Sequence, residues 1–185
     1  MDILELLAEA PVIAAAQSDA EFSAALSASP QVIFWLNANI LSLPEYIAKA
    51  HACGKVILVH IDLAEGLGKD PAGVRFLHRL GADGLISTRS GLIRLAKESG
   101  LCAVQRFFMV DSHSMVTAQE AIRAAAPDLV ELMPGIAPKI VERFRARCPI
   151  PVIAGGLIDS KEEILAALRA GAAAVSTGKR PLWDE

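Results

Sequence analysis

The sequence lacks the features of a secreted, membrane or metal-binding protein. Its three cysteines, Cys53, Cys102 and Cys148, lie far apart and include no Cys-x-x-Cys pair, which argues against a disulfide framework and a zinc site. The amino terminus has no basic segment of the kind found in signal peptides, and no apolar run is long enough to cross a membrane. We therefore expect a cytoplasmic protein with no membrane association, no metal and no cofactor.

Aromatic residues are also scarce, at 5% of 185 residues, whereas apolar residues make up 53% and charged residues 21%. This composition is typical of a globular chain whose core consists of helices and buried strands. The formal net charge of −3 argues against coating of nucleic acid through overall positive charge, but it leaves room for a local basic patch. The length and the absence of a linker predict a single domain over residues 1–185.

Eight short apolar runs alternate with longer segments of helical periodicity. The runs cover residues 11–16, 32–36, 56–59, 84–86, 102–104, 129–133, 151–154 and 173–175. Strands that alternate with helices pair in parallel through right-handed crossovers. The pattern therefore predicts an α/β protein, either a doubly wound sheet or a closed (β/α)8 barrel. With about 23 residues per unit, a barrel would be near its minimum size and would have short loops.

Capping residues mark the predicted helix boundaries. Ser18, Ser42 and Ser160 each begin a candidate capping box with glutamate three residues later, and Asp70 precedes a proline at a first helical position. Glycines stand where four helices should end, at Gly54, Gly81, Gly100 and Gly171. In both candidate folds a ligand binds beyond the carboxyl ends of the strands, so polar residues at those ends are the candidate site.

Polar residues follow the third and fourth runs. His60 and Asp62 are two residues apart and share one face of a strand, so both would reach the ligand if that face lined a barrel. Asp62 is equally suited to closing the turn after its strand, and His60 to being a satisfied interior histidine. Ser87, Thr88 and Arg89 combine hydroxyls, a cation and a helix N-terminus, which suits an anion, although ordinary capping also accounts for the hydroxyls.

Gln105, Arg106 and Glu131 interrupt the fifth and sixth strands. A buried amide or carboxylate is unfavourable unless it has a partner, so each joins a buried polar network or contacts a ligand. We expect Glu131 to face the ligand cavity. The adjacent Phe107 and Phe108 are expected in the core.

Glycines follow the last two strands. Gly155 and Gly156 end the seventh, while Ser176, Thr177 and Gly178 end the eighth. In a barrel, glycines at these two ends let backbone N–H groups approach a phosphate. Simple turn formation is the alternative, but the pair of sites favours phosphate binding.

Catalytic signatures are few. No lysine lies in the carboxyl half of a strand, which disfavours a Schiff-base aldolase, and the nucleophile elbow, P-loop and zinc-protease motifs are absent. Asp62 and Glu131 would be the acid–base pair of an enzyme. Lys139, Arg143 and Arg147 fall on one helical stripe that suits RNA phosphates, although a solvated helix face is the commoner meaning.

A set of segments in chain order resembles one known family. These segments are residues 59–63 with Gly66, Asp70 and Gly73, then 84–90, 105–108, 132–135 (including Pro134 and Gly135) with Pro138, 153–158 and 182–183. Together they resemble the glycerol-3-phosphate-responsive antiterminators of glycerol uptake operons. The resemblance implies a compact single-domain (β/α)8 TIM-type barrel with short loops. Its last helix would be truncated, because few residues follow Gly178.

The resemblance also implies a regulatory function. The family senses glycerol 3-phosphate and acts on leader mRNA to prevent early termination, without catalysis. The phosphate would lie against Gly155, Gly156, Thr177 and Gly178, with Arg89. The glycerol hydroxyls would reach Asp62, Gln105 or Glu131. The short tail would leave apolar surface that favours a homodimer. An isomerase or lyase of a phosphorylated metabolite, and a metabolite-binding module with a protein partner, are the alternatives.

Overall fold

The chain forms a closed barrel of eight parallel strands with helices outside it. The computed structural model describes residues 3–184. Strands β1 to β8 cover Val12–Ala16, Val32–Trp35, Val56–His60, Gly84–Ser87, Cys102–Phe108, Leu129–Met133, Val152–Gly155 and Ala174–Thr177. Each strand pairs with the next, and β8 pairs in parallel with β1, so the sheet has no free edge. The predicted TIM-type barrel is confirmed.

Seven helices connect consecutive strands, and one precedes β1. Helices α1 to α8 cover Ile3–Glu9, Asp19–Ser27, Leu43–Ala52, Pro71–Leu80, Ser90–Glu98, Ser112–Ala125, Pro138–Arg145 and Lys161–Arg169. After β8, one 3-10 turn over Arg180–Leu182 stands in place of an outer helix, which confirms the predicted truncation. Between residues 3 and 184, no helix is long and apolar enough to span a membrane.

Strand side chains divide between two apolar layers. Ile13 and Leu58 belong to the cluster inside the barrel, whereas Ile33 and Ile57 belong to the cluster between strands and helices. Successive residues of a strand point to opposite faces. The position of a polar residue within its strand therefore decides whether it faces the barrel interior or the helices.

Local sequence explains most helix boundaries. Ser18 and Ser160 form the predicted capping boxes, and the Asp70 carboxylate accepts backbone hydrogen bonds at the start of α4. The capping box predicted at Ser42 is wrong. Ser42 already has helical backbone angles (φ −99°, ψ −15°), and its hydroxyl donates to the Asn39 carbonyl at 3.4 Å.

The short tail packs tightly against the barrel. The Trp183 side chain is 2% exposed and lies in the outer apolar layer with Leu182. Its indole N–H donates to the Thr177 carbonyl at 2.8 Å, and the Asp184 carboxylate accepts from the Ser29 N–H at 2.8 Å. Leu182 and Trp183 thus cover apolar surface beside β8, which in the described part of the chain is followed by a 3-10 turn rather than an outer helix.

Candidate ligand site at the carboxyl ends of the strands

A cavity of about 610 Å³ opens at the carboxyl ends of the strands. We call it the barrel-mouth cavity, and its volume is in the range of small-molecule sites. The sequence-predicted residues that line it are Glu131, Gly156, Ser176, Thr177 and Gly178. Turns after β1, β2, β3, β7 and β8 border it, and inward-facing side chains of β5, β6 and β8 form its floor.

An ion pair lies on the cavity floor. Arg106 and Glu131 are paired neighbours on β5 and β6, and Arg106 Nε donates to Glu131 Oε2 at 2.6 Å. Their side chains are only 8% and 1% exposed. The second carboxylate oxygen, Oε1, accepts from Ser176 Oγ at 2.6 Å. Glu131 therefore lines the cavity with its charge balanced and its orientation fixed by two partners.

Gly155 makes room for this carboxylate. It is an inward-facing residue of β7, and a Cβ atom there would overlap Glu131 Oε1 and lie 2.5 Å from Ser176 Oγ. Both contacts are too short for real atoms to tolerate. The structure therefore gives Gly155 a packing role below the cavity.

Replacing Gly155 with alanine is expected to lower the free energy of unfolding by about 1–3 kcal/mol, because the added methyl group must displace Glu131 or Ser176. Urea denaturation measures this. Gly91→Ala is the matched control: Gly91 lies in α5 and a Cβ there meets no atom within 4 Å. That control should be neutral or stabilising by about 0.5–1 kcal/mol. Equal effects of the two substitutions would contradict the packing role.

Pro134 and Gly135, two sequence-predicted site residues, are not among the described residues that line the cavity, but Gly135 contacts the turn that borders it. The Gly135 N–H donates to the carbonyls of Gly155 at 2.6 Å and Gly156 at 3.0 Å. A Cβ at Gly135 would lie 2.8 Å from the Gly155 nitrogen, so only glycine lets the two turns approach this closely. The turn after β6 is thereby hydrogen-bonded to the turn after β7, and the turn after β7 borders the barrel-mouth cavity.

The β8 end carries the remaining polar groups of the cavity. Thr177 Oγ1 donates to the Ile158 carbonyl at 2.9 Å and accepts from the Lys179 N–H at 3.1 Å. The Lys179 side chain is 57% exposed, and its Nζ lies 3.3 Å from an Asp159 carboxylate oxygen. Both residues line the cavity, so its rim carries an accessible cation beside the glycine turns.

Asp62 closes the turn after β4. Its carboxylate accepts from Ser87 Oγ at 2.9 Å, from the Thr88 N–H at 2.7 Å and from Thr88 Oγ1 at 3.1 Å. Arg89 Nε lies 3.6 Å from the same carboxylate. The four sequence-predicted residues are thus brought together, but as a self-contained cluster. Among residues 3–184, these four are not part of the cavity lining.

His60 lies inside the barrel on β3, 3% exposed. Burial, and then the positive charge of Arg106, lower the pKa of His60 from 6.5 to about 4. His60 is therefore neutral at neutral pH. Its Nδ1 atom has no hydrogen-bond partner within the described chain, so this interior histidine is not fully satisfied.

Gln105 points away from the cavity. It is fully buried on the helix-facing side of β5, and its Nε2 donates to Ser90 Oγ of α5 at 2.9 Å. Its neighbour Arg106, which sequence reasoning left unassigned, faces the cavity instead. Phe107 packs partly buried against the outer layer. The expectation of a core position for Phe108 is wrong: the side chain is 57% exposed, because it lies at the open end of β5.

Comparison with known proteins agrees with this architecture. Residues 12–183 match the sequence model of the glycerol-3-phosphate responsive antiterminators. The chain belongs to this family. Its match to the antiterminator pattern covers all eight strands.

Individual relatives are similar over almost their whole length. The glycerol uptake operon antiterminator regulatory protein of Listeria monocytogenes has a TM-score of 0.89 and 36% identity, over 93% of this chain and 94% of that one. A glycerol uptake operon antiterminator-related protein of Thermotoga maritima has a TM-score of 0.83 and 33% identity, over 93% and 96%. The uncharacterized protein YgcP of Escherichia coli K12 is 33% identical over 99% of this chain and 96% of its own.

Proposed function

We propose that the barrel-mouth cavity binds glycerol 3-phosphate, and that the liganded protein acts on leader mRNA to regulate glycerol-metabolism genes. One observation carries the ligand assignment: the buried Arg106–Glu131–Ser176 network forms the floor of a cavity bordered by the glycine turns of β7 and β8. Such a site offers fixed donors and acceptors at one end and close backbone approach at the other.

The two ends of the ligand would meet different chemistry. Glu131 and Arg106 are suited to the glycerol hydroxyls, because both are held in place before the ligand arrives. Gly156 and Gly178 let the phosphate approach the backbone, and Lys179 supplies a positive charge at the rim. Asp62 and Gln105 have no part in this proposal, because neither is among the described residues that line the cavity; their polar groups point to the β4 turn and to α5.

The same contacts support a regulator over an isomerase or lyase. Acid–base catalysis by this pair needs both carboxylates within reach of one bound substrate. Glu131 lines the barrel-mouth cavity, whereas Asp62 is not among the described residues that line it, and the Asp62 carboxylate is engaged by the β4 turn. The acid–base pair considered from the sequence therefore does not face one cavity.

Calorimetric titration tests the ligand. We expect binding of glycerol 3-phosphate and much weaker binding of glycerol or inorganic phosphate. Gly178→Asp should weaken binding by about a hundredfold, because a carboxylate would repel the phosphate at short range in a partly buried site. Gly178→Asn, which has nearly the same shape without the charge, is the control and should bind more tightly than the aspartate variant.

Two results would contradict the ligand assignment: equal binding of all three compounds, or equal weakening by aspartate and asparagine. The regulatory step is tested separately by measuring leader-RNA affinity across a glycerol 3-phosphate titration. Unchanged RNA affinity would contradict ligand control while leaving the ligand site intact.

A further inference from the structure

A second cavity, of about 790 Å³, lies between α6 and α7, away from the barrel-mouth cavity. We call it the α6–α7 groove. Met115 and Ile140 contribute apolar surface, and Lys139, Arg143 and Arg147 bring three positive charges to its lining. Among the described residues that line it, Asp111 is the only acid, and its carboxylate accepts the Ser114 N–H at the start of α6.

The three cations of the groove are exposed and have no partner. Within residues 3–184, the exposed side chains of Lys139, Arg143 and Arg147 make no hydrogen bond or ion pair. Some exposed cations are paired, as Lys49 is with Glu45 at 2.6 Å, so what distinguishes the groove is that three unpaired cations share one lining. Three unpaired charges on one side of an acidic protein form a local electrostatic site for an anionic partner.

Exposed apolar side chains accompany these charges. Val110 is 84% exposed and Val116 47%, and both line the groove. Phe108, 57% exposed, comes two residues before Val110, and Ile136, 42% exposed, precedes the lining residue Ala137. Apolar and aromatic surface beside unpaired cations fits a partner with phosphates and flat bases.

We propose that the α6–α7 groove holds the phosphate backbone of RNA, with Lys139, Arg143 and Arg147 as the contacting cations. The proposal rests on the proposed function, in that it takes RNA as the partner. Charge complementarity favours RNA over a protein surface here, because three cations face only one acid, and that acid is already engaged at a helix start.

The groove is physically connected to the barrel-mouth cavity. Gly135 donates to the carbonyls of Gly155 and Gly156 beside the ligand space, and the same turn continues through Ile136 into the groove lining. The Met109 N–H, also from a groove residue, donates to the Met133 carbonyl at 2.8 Å. A ligand that moves the β7 turn thus acts on backbone that borders both sites.

The test is fluorescence anisotropy with a fluorescein-labelled RNA pool of random sequence, with and without glycerol 3-phosphate. A random pool suffices because backbone contacts are independent of sequence. We expect the triple variant Lys139→Gln, Arg143→Gln, Arg147→Gln to lose at least tenfold in affinity at low salt. The slope of log affinity against log salt should shrink by about 2, the value for three lost phosphate contacts on a single strand.

The matched control is the triple variant Arg75→Gln, Arg79→Gln, Arg169→Gln, which removes the same charge from exposed positions on α4 and α8. It should keep affinity within about threefold of the unmodified protein, as expected if only long-range charge changes. Calorimetry with glycerol 3-phosphate shows that both variants retain the folded ligand site.

The outcomes separate the two proposals. If both variants lose affinity equally, the groove assignment is overturned while RNA binding stands. If the unmodified protein binds no RNA under either condition, the groove and the RNA part of the proposed function both fail, whatever the ligand titration gives. If sedimentation instead shows a dimer that only the groove variant disrupts, the groove is a protein interface and the RNA assignment is overturned.

Discussion

Replacing Glu131 with leucine is expected to lower the free energy of unfolding by about 3–5 kcal/mol, the usual result of removing one partner of a buried ion pair. The loss arises because Arg106, whose side chain is 8% exposed, would keep its charge inside the barrel without a counter-ion. Ser176 would also lose the acceptor of its 2.6 Å hydrogen bond. Urea denaturation of the two proteins at neutral pH measures the difference.

Two further variants show whether the unpaired charge is the cause. The double variant Arg106→Met, Glu131→Leu removes both charges and should recover most of the lost stability. Arg94→Ala breaks an exposed pair with Glu98, 3.9 Å apart, and should change stability by less than about 1 kcal/mol. If the double variant is as unstable as Glu131→Leu, lost packing rather than an uncompensated charge is responsible.

Replacing Trp183 with alanine is expected to lower the free energy of unfolding by about 3–5 kcal/mol, as for other fully buried large aromatics. Trp183 packs in the outer layer just after β8, beside a 3-10 turn, so its truncation would leave a cavity there. The Thr177 carbonyl would lose its indole donor as well. Thermal unfolding followed by circular dichroism gives the measurement.

Trp183→Phe separates packing from the hydrogen bond. Phenylalanine keeps much of the apolar contact and loses only the donor to Thr177, which contributes about 1 kcal/mol. The phenylalanine variant should therefore be clearly more stable than the alanine variant. Equal instability of the two would mean that the indole hydrogen bond, and not burial, secures the tail.

The order of strands and helices could be predicted because each unit has its own local signals. The capping boxes at Ser18 and Ser160 and the glycine at Gly81, with φ +83°, mark boundaries that the structure confirms. Closure into a barrel is different, because it depends on which distant strands pair. The residues alone left two folds open, and the family resemblance chose between them.

The direction of side chains on β5 could not be predicted. Both faces of a parallel strand in a barrel are buried, so the apolar pattern carries no alternation from which inward and outward positions can be read. Gln105 and Arg106 are neighbours, and a shift of one residue exchanges their environments. The pairing of Arg106 with Glu131 becomes visible only once the register of β5 and β6 is known.

The two interpretations of Asp62 were equally open for a related reason. A carboxylate after a strand can reach a ligand or the next turn, and the choice depends on how close β4 lies in space. The structure brings Ser87 and Thr88 within hydrogen-bond distance, which favours the turn. A similar limit applies to Phe108, whose exposure depends on where the helices stop covering the barrel.

The space that Gly155 leaves for Glu131 and Ser176 makes the side chains of three neighbouring strands, β6, β7 and β8, depend on one another. A side chain at position 155 becomes tolerable only after position 131 has become smaller, and a smaller residue at 131 leaves Arg106 without its counter-charge. Such contacting positions are energetically coupled, so a single substitution at any one of them is expected to lower the stability of the barrel. Changing the chemistry of this cavity floor at the lowest cost in stability therefore requires coordinated substitutions at these contacting positions.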